Sequence, residues 1–272
     1  MPIMKEPSRL LESVVALAKE AGRAILAIYD SEFSVTQKSD QSPLTAADLA
    51  SHELIVAGLA RLRPQFPVLS EESAAHAFED RKNWSSLWLV DPLDGTKEFV
   101  KRNGEFTVNI ALIHEHAPVL GVVHAPALDL TYFAAEGCGA FRQHGDQTPQ
   151  RIRVRAQAPL HPVVVGSRSH VNAAMETYLN RLGECKLRPM GSSLKLCLVA
   201  EGTADLYPRI GPTSEWDTAA AHCVVTEAGG AVTDLTGAPL VYNARDSLLN
   251  PYFLVFGDKS RPWLDYTRGI EG

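Results

Sequence analysis

The segment SLWLVDPLDGT, from Ser86 to Thr96, constrains this chain more than any other. Ser86 to Val90 reads as a short apolar strand, and the acids Asp91 and Asp94 follow it at once with Pro92 between them. Asp91 thus ends a buried strand, the position where α/β folds place ligand-binding residues. Proline has no N–H and a fixed φ, so Pro92 is expected to stop the strand and turn the chain. Asp94 can then point into the same space as Asp91, and the Leu93 carbonyl loses its regular partner. Carboxylate and carbonyl oxygens together suit a hard cation such as Mg²⁺. Gly95 permits a tight turn, and Thr96 offers a hydroxyl that can orient water. The same residues also fit a plain acidic strand–turn, because Asp-Gly is common turn chemistry.

The rest of the chain reads as helices and strands around that strand. Leu10 to Tyr29 forms an amphipathic helix, with Leu10, Leu11, Val14, Leu17, Ala18, Ala21, Ile25 and Ile28 on one stripe. Thr45 to Leu62 is a second helix, stopped before Pro64. Thr107–Ile113, Val119–His124 and Thr131–Ala135 are neighbouring strands, continued around Ala140 and Phe141. The polar stretch Gln143 to Gln150 is taken as a junction between two lobes, residues 1–150 and 151–272. Beyond it, strands at Val163–Gly166, Asp205–Pro208 and Phe253–Gly257 alternate with helices at Val171–Leu182, Ser193–Ala200 and Trp216–Ala228. This order predicts an α/β (α+β) protein with mixed sheets covered by helices.

Further acids stand away from the opening segment. Glu71 and Glu72 follow the short apolar run Pro67-Val68-Leu69, which places them at a strand end; an isolated Glu-Glu pair also fits solvated surface. Asp217 opens the helix at Trp216, as an N-cap or dipole partner would, yet a helix N-terminus is also a phosphate seat. Asp48 lies in Thr45-Ala46-Ala47-Asp48, which fits a capping box and needs no function to explain it. Only the fold can bring these acids together; if it does, they suit a two-metal site that activates water and stabilises the leaving oxygen of a phosphate ester.

Composition narrows the partners. The 272 residues carry a net charge of −6 with no basic block, which argues against nucleic acid but leaves room for a small anionic substrate. With 45% hydrophobic and 21% charged residues, the profile is that of a soluble globular protein. Glu12 and Lys19 interrupt the N-terminal apolar pattern, so no signal peptide is expected, and no apolar run reaches the roughly 18 residues of a membrane span. Cys138, Cys185, Cys197 and Cys223 lack the close pairing of a zinc or thioredoxin site and read as reduced thiols in a cytoplasm.

Glu71-Glu72, Asp91-Pro92-Leu93-Asp94-Gly95-Thr96 and Trp216-Asp217-Thr218-Ala219-Ala220, in this order and spacing, resemble the signature of the lithium-sensitive, magnesium-dependent phosphatases of the inositol monophosphatase superfamily. The likeness runs from the first helix to the last strand. Within that superfamily the chain is most similar to the bacterial 3′(2′),5′-bisphosphate nucleotidases of the CysQ type. The residues that carry this finer likeness are Thr96-Lys97-Glu98-Phe99, Lys101 to Phe106, Ser167-Arg168-Ser169-His170, Gly191-Ser192-Ser193-Leu194-Lys195 and Tyr207-Pro208-Arg209.

The resemblance implies a layered αβαβα sandwich with two α/β lobes. It also implies two or three Mg²⁺ ions held by Glu71, Asp91, the Leu93 carbonyl, Asp94 and Asp217. Glu71 and Thr96 would position the attacking water, with Asp48 holding a further metal or accepting a proton through Thr96. Gly95, Thr96 and the Asp217 helix would cradle the scissile phosphate. Lys97, Ser167, Arg168, Ser169, His170, Ser192, Lys195 and Arg209 would surround the nucleotide and its second phosphate. The implied reaction is direct in-line hydrolysis of 3′-phosphoadenosine 5′-phosphate to AMP and phosphate, in sulfur assimilation, without a covalent phosphoenzyme. Whether the 5′-phosphosulfate is also used, whether the chain is a homodimer and whether it touches the inner membrane are left open by the sequence.

Bottom-up chemistry agrees with one part of this: a bisphosphate brings a second anion, and Lys195 and Arg209 can supply cations for it, although each also fits a solvated surface charge. The rival within the superfamily is an inositol monophosphatase or fructose-1,6-bisphosphatase. A haloacid-dehalogenase-type phosphatase is a further rival, but its Asp-x-Asp motif does not match Asp91-x-x-Asp94. A non-catalytic nucleotide sensor is expected to have lost a metal ligand, and Glu71, Asp91, Asp94 and Asp217 are all present.

Overall fold

The computed structural model describes residues 7–31, 35–37, 43–73, 76–167 and 172–270. Helix α1 (Ser8–Tyr29) buries most of the stripe expected of it, from Leu10 to Ile25, while Leu11 and Ile28 pack at its margin and are only partly buried. A short antiparallel pair, β1 (Val35–Gln37) and β2 (Pro43–Thr45), leads into α2 (Ala46–Leu59). A seven-stranded sheet follows, in the spatial order β3 (Val68–Ser70), β4 (Ser86–Asp94), β5 (Thr107–His114), β6 (Ala117–Ala125), β7 (Leu130–Ala135), β8 (Gly139–His144) and β9 (Gln150–Ile152). Only the β3–β4 pair is parallel. Short helices α3 (Phe78–Arg81) and α4 (Thr96–Val100) flank β4 in the chain.

The chain then builds a five-stranded mixed sheet from β10 (Val163–Ser167), β11 (Lys186–Met190), β12 (Leu206–Arg209), β13 (Ala231–Asp234) and β14 (Phe253–Phe256), in the order β11-β10-β12-β14-β13. Helices α5 (Ala173–Leu182), α6 (Leu194–Ala200) and α7 (Glu215–Glu227) lie between these strands in the chain.

Strand alternation sorts the layers. Along β4, Trp88 and Val90 pack with α1 and α2, while Leu87 and Leu89 pack with α6 and α7. In the small sheet, Tyr207, Phe253 and Val255 join that same α6–α7 core, and Leu206, Leu254 and Phe256 face Tyr178 and Leu182 of α5. Period-2 alternation in two sheets therefore yields the expected αβαβα sandwich. Helix α7 lies in the middle layer, so Ala219 to Val225 are all buried, as a helix enclosed on both sides requires.

Several boundaries differ from the sequence reading. Pro92 does not stop its strand: β4 continues through it to Asp94. Helix α2 ends at Leu59, because Arg61 and Leu62 donate to Gly58 and Leu59, tightening the last turn before Pro64. Gln143–Gln150 spans the turn between β8 and β9, and the chain passes from the large to the small sheet between Ile152 and Val163. Strands β1, β2, β9, β11 and β13 were not expected: β11 is an exposed edge strand with Pro189 in it, and the other four have three or four residues, too short to show a period; Thr45, read as helix, ends β2 and caps α2. Among the described residues, no helix is long and apolar enough to cross a membrane.

Candidate active site

The two acids of β4 meet because of a β-bulge. Residues three apart in a regular strand point to opposite faces. Here Asp91 pairs with Asn109 and Asp94 with Thr107, so three steps on β4 match two on β5. The extra residue restores the parity, and Asp91 and Asp94 share one face with Asn109 and Thr107. That face is the one covered by α6 and α7. Proline's missing N–H is tolerated at a bulge, where the ladder is already interrupted. Its carbonyl accepts from Ser51 Oγ on α2 at 2.7 Å, and Asp91 Oδ1 accepts from Leu93 N at 3.0 Å, which fixes the bulge from both sides.

Asp217 arrives from the opposite direction. Ser214 caps α7 in a capping box, its N–H donating to Asp217 Oδ2 at 3.0 Å. One ligand oxygen from each of Asp91, Asp94 and Asp217 lies within 4.8 Å of the others. Glu71 is set at the end of β3 by its own N–H, which donates to Val90 O at 3.1 Å. It lines the same cleft, of about 280 Å³.

Burial and mutual repulsion make this cluster costly without a cation. Asp91 is pushed well above the usual carboxylate range, first by burial and then by Glu71, Asp94 and Asp217. Asp217 is raised to about 8 by burial, then Asp94 and Glu71. Crowded, partly desolvated carboxylates are the donor set a hard divalent cation would neutralise. The residues present thus fit a metal on chemical grounds.

Thr96 sits where the chain turns away from β4. Gly95 adopts φ +92°, and a Cβ there would come within 3.3 Å of Ser192 Cβ, so both conformation and space call for glycine. Thr96 Oγ1 lies 3.3 Å from Asp48 Oδ1 and 3.3 Å from Leu93 O. Asp48 is buried, and its Oδ2 accepts from Thr45 N at 2.8 Å and Thr45 Oγ1 at 2.6 Å, so the capping box read from the sequence is present. The structure therefore places Asp48 behind Thr96, with its second oxygen turned to the threonine hydroxyl.

The cationic side of the cleft comes from the small sheet. Lys195 on α6 is buried, its Nζ donating to Ser192 O at 2.5 Å and lying 5.6 Å from the Tyr207 ring centroid. Burial pushes its ammonium down to about 8, against the pull of Asp94. Arg209 ends β12; its Nη2 donates to Pro212 O at 2.5 Å and its Nε to Thr213 Oγ1. Lys97 and Ser192 also line the cleft, Ser192 with φ +44°. The Ser167 side chain and Arg168, Ser169 and His170 lie outside the described residues.

Sequence reasoning gave Ser193, Asn109 and Thr107 no role, yet they contact Asp94. Ser193 stood in the quoted Gly191–Lys195 motif; the other two were hidden because their placement depends on the β4–β5 register.

Residues 6–258 match the inositol monophosphatase family. The 3′(2′),5′-bisphosphate nucleotidase CysQ of Escherichia coli strain K12 is 52% identical over 254 residues, covering 90% of this chain and 99% of that protein. The enzyme of the same name from Salmonella typhimurium is 53% identical over 254 residues, with the same coverage. Among solved structures, CysQ from Bacteroides thetaiotaomicron superimposes with a TM-score of 0.80 at 44% identity, covering 92% of this chain and 97% of that one. The Thermotoga maritima inositol monophosphatase gives 0.78 at 26% identity, covering 96% and 97%. This chain belongs to the inositol monophosphatase family.

Proposed function

We propose that the protein is a magnesium-dependent 3′(2′),5′-bisphosphate nucleotidase that hydrolyses 3′-phosphoadenosine 5′-phosphate to AMP and phosphate. The observation that carries this reading is the meeting, in one cleft, of the Asp91–Asp94–Asp217 cluster with the cations Lys195 and Arg209. An enzyme for a monophosphate needs the first feature; a bisphosphate also needs the second. The likeness to nucleotidases at 52% and 53% identity supports the same substrate class. Use in sulfur assimilation follows from that substrate, and the four free thiols fit a cytoplasmic setting.

Glu71, Asp91, Asp94, Asp217 and the Leu93 carbonyl would hold two or three Mg²⁺ ions. When bound, these would offset the phosphate's charge and make water a better nucleophile. The chain's own residues do the rest. Thr96 Oγ1 donates to Asp48 Oδ1, which turns its lone pairs outward to accept a hydrogen bond from the attacking water. Glu71, which lines the same cleft, would take the water's other proton. The Gly95–Thr96 turn and the first turn of α7 hold the scissile phosphate in line. Lys195, Arg209 and Lys97, with Ser192 and the Ser167–His170 segment, bind the nucleoside and the second phosphate.

Phosphate release from 3′-phosphoadenosine 5′-phosphate, inositol 1-phosphate and fructose 1,6-bisphosphate tests this, each with Mg²⁺, with EDTA and with added Li⁺. The expected result is strong preference for the nucleotide, lost in EDTA and suppressed by Li⁺. Preference for inositol 1-phosphate would overturn the assignment of Lys195 and Arg209; preference for fructose 1,6-bisphosphate would keep them as contacts to a second phosphate and overturn the nucleotide as substrate.

A further inference from the structure

Among the described residues, the Asp94 carboxylate accepts all its hydrogen bonds through one oxygen. Oδ2 accepts from Ser193 N at 2.5 Å, Ser193 Oγ at 2.6 Å, Asn109 Nδ2 at 3.3 Å and Thr107 Oγ1 at 3.4 Å. Among the described residues no hydrogen bond reaches Oδ1. A carboxylate free to rotate would present either oxygen to an ion; this one is pinned by two short bonds from a single residue.

Ser193 also reaches the other half of the cluster. Its Oγ lies 2.5 Å from the backbone oxygen of Asp217 and accepts from Asn109 Nδ2 at 2.8 Å. Asn109 thus contacts both Ser193 and Asp94 from β5, on the face shared by the bulged acids. A serine hydroxyl has one proton, and an ionised carboxylate is a stronger acceptor than a peptide carbonyl. With Asp94 ionised, as any cation-bound state requires, the proton goes to Asp94, and Asn109 supplies the hydrogen bond that orients the hydroxyl. Ser193 is 2% exposed and Asn109 1%, so water does not compete for these contacts.

We infer that Ser193 and Asn109 are positioning residues for the metal site: together they hold Asp94 with Oδ1 turned to the ion. The inference rests on the metal-site reading above. Partners that orient a ligating carboxylate typically contribute 10- to 100-fold to metal affinity or activity.

The test is calorimetric titration of Mg²⁺ into the metal-free protein, so that binding is read without turnover. Ser193→Ala keeps the backbone N–H bond to Asp94 and loses only the hydroxyl; Asn109→Ala loses the orienting amide. Each is expected to weaken Mg²⁺ binding by roughly 10-fold or more, and Ser193→Thr, which restores a hydroxyl, is expected to recover it. The Mg²⁺ concentration for half-maximal turnover should rise in parallel, while KM for the nucleotide at saturating Mg²⁺ stays near wild type. Wild-type Mg²⁺ affinity in a folded Ser193→Ala protein overturns the inference alone. Absence of Mg²⁺ binding in the wild type overturns it together with the metal-site reading. Circular dichroism melting separates a variant that binds poorly from one that does not fold.

Discussion

Arg81 and Asn243 hydrogen-bond to each other in both directions across 162 residues of chain: Arg81 Nη1 donates to Asn243 Oδ1 at 2.8 Å, and Asn243 Nδ2 donates to Arg81 O at 2.7 Å. Arg81 also reaches the carbonyls of Arg245 and Asp246, and Asn243 N donates to Glu215 Oε2 at 2.7 Å. All three side chains are buried. Glu215 is the first residue of α7, so this network joins the β3–β4 connection to the first turn of the helix that holds Asp217.

Arg81→Met keeps the apolar stem and removes the guanidinium. The Asn243 side chain and two loop carbonyls then lose their donors in a buried place, at a cost of about 3 kcal/mol. A shift of the urea midpoint to lower concentration, with an unchanged slope, is the expected reading. An unshifted midpoint would show that water replaces the guanidinium freely.

The metal-free protein should lose stability as pH rises. Asp217 is about 8 in the folded state against 3.8 for the free group, and Asp91 is raised in the same direction. The folded state therefore holds protons that the unfolded chain releases. The resulting stabilisation is complete below about 3.8 and is lost as pH climbs through about 8. Adding Mg²⁺ replaces those protons with a cation and should flatten the profile. Melting temperatures across this range, in EDTA and in Mg²⁺, check it; a melting temperature in EDTA that rises with pH would contradict the repulsive cluster.

The same repulsion separates stability from activity at Asp91. Asp91→Asn removes an acid whose ionisation is opposed by burial and by Glu71, Asp94 and Asp217. Turnover should fall by roughly 100-fold or more, since a ligand to the ion is lost. Yet the EDTA-treated variant should melt higher than EDTA-treated wild type at neutral pH. Wild-type turnover in this variant would remove Asp91 from the site.

Lys195→Ala separates the two phosphates. A buried ammonium on a phosphate is worth about 1.5–3 kcal/mol, or roughly 10- to 100-fold. KM for 3′-phosphoadenosine 5′-phosphate should rise by that factor, and KM for adenosine 3′-monophosphate far less. Equal increases for both would place Lys195 at the scissile phosphate or at the Ser192 turn, whose carbonyl it holds at 2.5 Å.

Much of this was legible in residue order. The apolar stripe of α1, the strand β4 and the acids beside Pro92 follow from hydrophobic period and residue type. Short strands such as β13 leave too few residues for a period. More telling is Pro92, read as a stop because the local rule is strong. What keeps the strand going is the β5 partner, whose Asn109 and Thr107 fix a bulge that no local signal shows. Ser193 went unassigned for the same reason: its serine pair suggested substrate contact, while its contacts with Asp94 and Asp217 join segments 99 and 24 residues away.

Gly121 is a second case where distant packing decides. It lies in β6 between Ala111 and Ala134 on the neighbouring strands, forming a flat row of small residues beneath α7. A Cβ at Gly121 would stand 2.1 Å from Ala220 O and 2.9 Å from Cys223 Cβ. Backbone cannot swing aside as a side chain does, so α7 would have to move, and Asp217 with it. Gly121→Ala should therefore cost at least about 2–3 kcal/mol through overpacking and lower turnover as well. Gly166 in β10 is the control: a Cβ there meets nothing within 4 Å among the described residues, and its alanine variant should be neutral or slightly stabilising. If Gly121→Ala melts with wild type, α7 has room above the sheet, and the close seating that brings Asp217 to the bulged acids is not what holds the site together.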